Sequence, residues 1–148
     1  MISQFLWTVQ EGKAPVVFGD GKQTRDFTFV QDVTTAMVMA AEKGTGVFNL
    51  GTGKSCSFNY VVNLLNKKLG MNLKPVYKEN PIKNYVKDTL ADTSKMKEHL
   101  GFRAKWSLEA GVNVALALTL QRLWPLAHES FPRPEKPKQL LPGKISHF

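Results

Sequence analysis

Apolar residues fall at Ile2, Phe5, Leu6 and Val9, the spacing that lines one face of a helix, and Gly12 follows where a glycine can close it. Ala14 to Phe18 is a short unbroken apolar run of strand length, and Gly19-Asp20-Gly21 turns the chain after it. Phe27, Phe29 and Val30 predict a second extended piece. Asp32 then reads as the cap of a helix with Val33, Ala36, Met37 and Ala40 on one face and Gly44 and Gly46 at its end. Val47 to Leu50 is strand-like, Gly51-Thr52-Gly53 turns, and Ser57 caps a third helix that turns Phe58, Val61, Val62, Leu65 and Leu69 inward before Gly70. Leu73 to Tyr77 predicts another strand, interrupted by Pro81. Thr93 or Ser94 starts a short helix through Leu100 that Gly101 terminates. Ser107 caps a long helix carrying Leu108, Val112, Ala115, Leu116 and Leu120, which Pro125 should end near Trp124.

Strands alternating with helices predict an α/β fold, and no segment repeats at a fixed period. The pattern stops at Pro125, beyond which come four more prolines, scattered charge and no sustained periodicity. The chain therefore divides into a folded region over 1–124 and a flexible tail over 125–148. At 148 residues and 43% hydrophobic content, the chain is long enough to bury a core of its own.

Composition narrows the setting. A single cysteine, Cys56, excludes an intramolecular disulfide and a thiolate cluster, which fits a reducing, cytoplasmic compartment. The opening residues have no basic stretch ahead of an apolar core and nowhere do eighteen apolar residues run together, so neither a signal peptide nor a membrane partner is expected. His99, His128 and His147 are isolated from one another and from Cys56, leaving no metal-ligand spacing and no triad. The net charge of +8 and pI near 9.7 favour an anionic partner without choosing one.

Gly51-Thr52-Gly53-Lys54-Ser55, between a strand and a helix, has the close of a phosphate-binding loop. The full loop needs a further glycine five positions before Gly53, where the backbone must curl around a phosphate, and that position is Phe48. The same glycines begin a dinucleotide fingerprint whose third glycine is replaced by Cys56. A tight strand-to-helix turn accounts for both.

A longer motif runs from Val17 to Val33: Gly19-Asp20-Gly21, then Arg25-Asp26-Phe27, then Val30-Gln31-Asp32-Val33. It resembles the corresponding segment of the extended short-chain dehydrogenases, the NAD-dependent nucleotide-sugar epimerases and dehydratases. Val47 to Gly53, Leu90-Ala91-Asp92-Thr93-Ser94-Lys95, Leu100-Gly101-Phe102 and Ser107 to Val112 continue the likeness in family order, over about residues 1 to 115. The resemblance implies the substrate-binding C-terminal portion of such an enzyme, with a small mixed sheet and, near Val47 to Leu50, part of a Rossmann-type sheet edge. It implies further that Arg25 contacts the pyrophosphate of a nucleotide sugar, in keeping with a guanidinium that forks onto two oxygens at once. A surface ion pair with Asp26 or Asp20 is the structural alternative. Val17 and Phe18 would line the base pocket, through backbone groups and an aromatic ring, with core packing as the alternative for both. Asp32 and Asp92 are assigned to helix starts.

Where many family members carry Arg-x-Gly-Asp, this chain has Ile82-Lys83-Asn84-Tyr85, which leaves Lys83 as a point charge toward phosphate or as a solvated surface lysine. The family's proton-transfer tyrosine has a lysine four residues later, and Tyr60, Tyr77 and Tyr85 have none. The Gly-x-x-Gly-x-x-Gly turn for the dinucleotide is absent as well. The expectation is a fragment whose NAD site and catalytic residues belong to a separate or missing N-terminal Rossmann half, with NAD in the intact parent and no cofactor or catalytic residue here. The competing class is a non-enzymatic basic module for nucleic acid or another polyanion, with Trp7, Trp106, Trp124 and Phe58 as stacking surfaces. Those rings fit helix-core positions better, which makes nucleic acid the less favoured partner.

Overall fold

The computed structural model describes residues 1–123, and side chains through 119. Trp124, His128, His147 and the segment 125–148 lie outside the described residues. Helix α1 (Ile2–Gln10) buries Phe5, Leu6 and Val9. It ends in a Schellman arrangement, with Gly12 at φ +68°, its N–H on the Val9 carbonyl and the Lys13 N–H on that of Thr8. Strand β1 (Val16–Phe18) and strand β2 (Thr24–Asp26) follow, then helix α2 (Val30–Lys43), strand β3 (Ser55–Ser57) and helix α3 (Phe58–Leu69). Strand β4 (Val76–Lys78), helix α4 (Ser94–Leu100) and helix α5 (Leu108–Leu123) complete the order.

The helix punctuation operates largely as expected. Ser57 Oγ accepts the Tyr60 N–H at 3.1 Å, and Gly70 closes α3 at φ 65°. Ser107 Oγ accepts the Ala110 N–H at 3.2 Å ahead of α5, and Gly101 ends α4 at φ 67°. The Asp92 carboxylate accepts the Ser94 N–H, a bond that holds its pKa below the ordinary value. Asp32 behaves differently. The cap position of α2 is Phe29, in extended conformation, and Asp32 sits within the first turn at 3% exposure. Its carboxylate accepts the backbone N–H of Lys105 at 3.0 Å and of Trp106 at 3.0 Å, so it ties α2 to the approach to α5.

The sheets are smaller than the pattern predicts. β1 and β4 pair in parallel, and β2 and β3 pair antiparallel, with Arg25 opposite Cys56. The mixed pairing is therefore divided between two two-stranded ladders. The second extended piece is β2, three residues upstream of Phe27, while Phe29 stacks on Trp106 at 4.6 Å. Val47 to Leu50 joins no ladder among the described residues, so the expected sheet edge is not a paired strand here. Its side chains still alternate as a strand's would: Phe48 and Leu50 pack inward, whereas Val47 is 82% exposed.

Two apolar clusters result. Phe5 and Leu6 of α1, Val17 of β1, five residues of α3, and Val112 and Leu116 of α5 form the larger. Ala36 of α2, Met96 and Leu100 of α4, and Phe102 form the smaller, with Met39, Phe48 and Leu50 against it.

Candidate functional site

The candidate site starts from β2. Successive strand residues face opposite sides, so Arg25 and Asp26 part company despite their charges. Asp26 turns to the loop after Leu50. Its carboxylate accepts the Thr52 N–H at 2.8 Å, the Thr52 hydroxyl at 2.6 Å and the Gly53 N–H at 2.9 Å. A Cβ on Gly51 would stand 2.4 Å from Asp26 Oδ2 and 2.4 Å from Ala91 Cβ, which explains glycine at a residue that needs no left-handed backbone. The amides that a phosphate-binding loop would offer its ligand are thus occupied by an internal carboxylate, and the Gly51–Ser55 segment is a turn.

Arg25 takes the other side. Nη1 donates to the carbonyls of Thr24 at 2.6 Å and Lys87 at 2.9 Å, and Nη2 donates to that of Val86 at 2.7 Å. Phe58 and Tyr85 place ring centroids 5.6 Å and 5.0 Å from its Cζ. The ion pair with Asp26 or Asp20 is not formed; the one ion pair among the described residues joins Lys13 to Glu11. Three of the five guanidinium N–H groups are thereby used, leaving Nε–H and one Nη2–H without an acceptor among the described residues.

β1 leads into a loop tied to the start of α3. The Asn59 N–H reaches the Gly21 carbonyl at 3.0 Å and its side-chain amide the Asp20 carbonyl at 3.1 Å, so close that a Cβ on Gly21 would strike Asn59 Oδ1. Of the two residues expected to line a base pocket, Val17 sends its side chain into the larger cluster at 0% exposure and turns its backbone groups toward β4, so it offers a ligand neither. Phe18, next along the strand, is 47% exposed, and its carbonyl is taken by the buried Gln23 amide. Lys83 is exposed in the turn before Tyr85.

Sequence reasoning missed two participants. Tyr85 and the carbonyls of Val86 and Lys87 reach Arg25 across sixty residues of chain, and no spacing signals that contact. Asp26 was visible only as a neighbouring charge. A concavity of about 440 Å³ lies elsewhere, lined by Phe27, Lys54, Cys56, Trp106 and Glu109 among others. Burial first, then the Glu109 and Asp26 carboxylates, push the Cys56 thiol up, which keeps it protonated and a poor nucleophile. Beside it the Tyr60 hydroxyl donates to Glu109 at 2.6 Å, raising the phenol and holding the carboxyl below its ordinary range. A proton-transfer tyrosine needs the opposite shift. Among the described residues no group of three His, Cys, Asp or Glu could hold a metal ion, and no helix is long and apolar enough to cross a membrane. Phe58 is buried in the core, and Trp106, half-buried, packs against Phe29.

The chain is similar to several known proteins. A family model described as GDP-mannose 4,6 dehydratase matches residues 1–114. The UDP-glucuronate 4-epimerase of Thermodesulfobacterium geofontis is 35% identical over 113 residues, 75% of this chain and 35% of that protein. Among solved structures, the UDP-glucose 4-epimerase of Thermotoga maritima with UDP-glucose superposes with a TM-score of 0.78 at 36% identity, covering 82% of this chain and 40% of that one. The UDP-glucuronic acid 4-epimerase of Bacillus cereus, in complex with UDP-glucuronic acid and NAD, gives 0.76 at 28% identity over 82% of this chain and 40% of that one. The chain spans between about a third and two fifths of the length of these relatives.

Proposed function

This chain belongs to the NAD-dependent epimerase and dehydratase family, and on that premise we propose that it is the nucleotide-sugar-binding portion of such an enzyme, with Arg25 gripping the diphosphate. The observation that carries the reading is the state of the guanidinium. Carbonyls of Thr24, Val86 and Lys87 fix it, and among the described residues no carboxylate neutralises it and two N–H groups remain for an oxyanion. Phe18 would supply an exposed ring for the base, with Val17 fixing the strand beneath it, and the exposed Lys83 would add positive charge toward the phosphates.

The intact enzyme would use NAD, which the Bacillus cereus structure holds, to oxidise a sugar carbon and return the hydride or eliminate water. In this chain no tyrosine is followed four residues later by lysine and no Gly-x-x-Gly-x-x-Gly occurs. Residues 1–124 therefore bind the substrate's nucleotide handle, in a cytoplasmic setting, without carrying the cofactor or the proton-transfer chemistry. A base site and a guanidinium on an open surface are what one wall of a cleft presents. Calorimetric titration of UDP, ADP and NAD into the purified chain tests this. Saturable binding of one nucleoside diphosphate is expected, reduced at least about tenfold by Arg25→Ala, as loss of a charge-assisted pair implies, and unchanged by Lys54→Ala. Dependence on Lys54 with indifference to Arg25 would sink the proposal.

A further inference from the structure

We infer that Tyr85 is the positioning residue for the diphosphate-binding arginine: its ring, with the carbonyls that follow it in the chain, sets the plane in which Arg25 meets an oxyanion. The inference rests on the proposed role of Arg25. A guanidinium on a solvated strand ordinarily samples many rotamers, and holding it in one orientation before the ligand arrives removes part of the ordering cost of binding. In most sites a carboxylate supplies that hold and consumes the charge that the phosphate needs. Here the adjacent carboxylate is engaged with the loop at Thr52 and Gly53, and among the described residues the hold is neutral: three backbone carbonyls on Nη1 and Nη2, and two aromatic rings near Cζ.

Tyr85, Val86 and Lys87 act as one unit because the segment is anchored to β2. The Thr24 N–H donates to the Lys87 carbonyl at 3.1 Å, the Thr24 hydroxyl to the Asp88 carboxylate at 2.8 Å, and the Thr89 N–H to the Thr24 carbonyl at 3.2 Å. Asn84, at φ 56°, makes the left-handed turn that delivers the ring to Arg25. Of the two rings, Phe58 belongs to the larger core, whereas Tyr85 is only half-buried, so it can be changed without opening that core. Among the described residues the Tyr85 hydroxyl makes no hydrogen bond, which assigns the effect to the aromatic face.

The test is UDP titration of the 148-residue chain as Tyr85→Phe, Tyr85→Leu, Arg25→Ala, Arg25→Lys and the Arg25→Lys/Tyr85→Leu double variant, with thermal unfolding of each. Tyr85→Phe should bind within roughly twofold of the parent and Tyr85→Leu about tenfold more weakly, the range a partly desolvated cation–π contact supports. In the Arg25→Lys background, Tyr85→Leu should add little, because a point charge has no plane to set. A merely structural tyrosine would weaken binding by the same factor in both backgrounds and lower the melting temperature in step. Tyr85→Leu binding like the parent, or weakening both backgrounds equally, overturns the inference while the role of Arg25 stands. No loss of affinity in Arg25→Ala, or no UDP binding by the parent, overturns the role of Arg25 and the inference with it.

Discussion

Arg25 and Asp26 carry opposite charges on consecutive residues and never meet, because a strand's period of two is stronger than a weak surface attraction. The cation is held by backbone carbonyls, and the carboxylate is spent on three donors of the Thr52–Gly53 turn. The approach of Asp26 to that turn leaves no room at Gly51. Gly51→Ala should therefore destabilise the fold by about 2 kcal/mol, the usual range for a forced overpacking. Gly53→Ala, whose Cβ would meet nothing closer than 3.8 Å, should lose only the roughly 1–2 kcal/mol of its left-handed backbone. Urea unfolding midpoints of the two variants measure this, and a Gly51→Ala chain as stable as the parent would mean that Asp26 leaves the loop freely.

Among the elements, α2 depends on Asp32 in a way that separates two accounts of that residue. A capping aspartate lost to alanine costs about 1 kcal/mol. A buried carboxylate that satisfies two backbone N–H groups of a distant segment should cost more, about 3 kcal/mol, since both donors are left without a partner. Chemical denaturation of Asp32→Ala distinguishes the values, and a loss near 1 kcal/mol would restore the capping account. The residue type at position 32 announced a helix start, but its actual partners lie more than seventy residues on, beyond any local signal. α1, α3, α4 and α5 were legible because apolar spacing and end residues such as Gly12, Ser57, Gly70, Gly101 and Ser107 are local. β2 was not, because Thr24, Arg25 and Asp26 owe their pairing to polar partners at Ser55–Ser57 and Asp88, while nearby Phe27 and Phe29 carry the apolar pattern. The site divides in the same way. Arg25 is singled out by a motif contiguous in sequence, whereas Tyr85 reaches it only through tertiary contact, and the inward turn of Val17 beside the outward Phe18 follows from the phase of a three-residue strand.

At the scale of the molecule, one face of α2 has no cover among the described residues. Val30, Thr34, Met37, Val38 and Ala41 fall on one helical stripe and are exposed, Met37 at 65% and Val38 at 59%. In a chain that spans about two fifths of its solved relatives, such a stripe is a natural contact for more polypeptide, and in isolation it favours self-association. Sedimentation velocity should show concentration-dependent association of the parent that the double change Met37→Lys and Val38→Glu suppresses, with the melting temperature held within about 2 °C because neither side chain supports a core. Association unaffected by the pair would place the adhesive surface elsewhere. The uncovered stripe also shapes how stability responds to temperature. Side chains already in contact with water before unfolding add nothing to the heat-capacity increment, so the monomer's increment per residue should fall below the usual ~12–15 cal/mol/K, and its free-energy curve should be broad and shallow, losing little stability on cooling and melting without a steep enthalpic front.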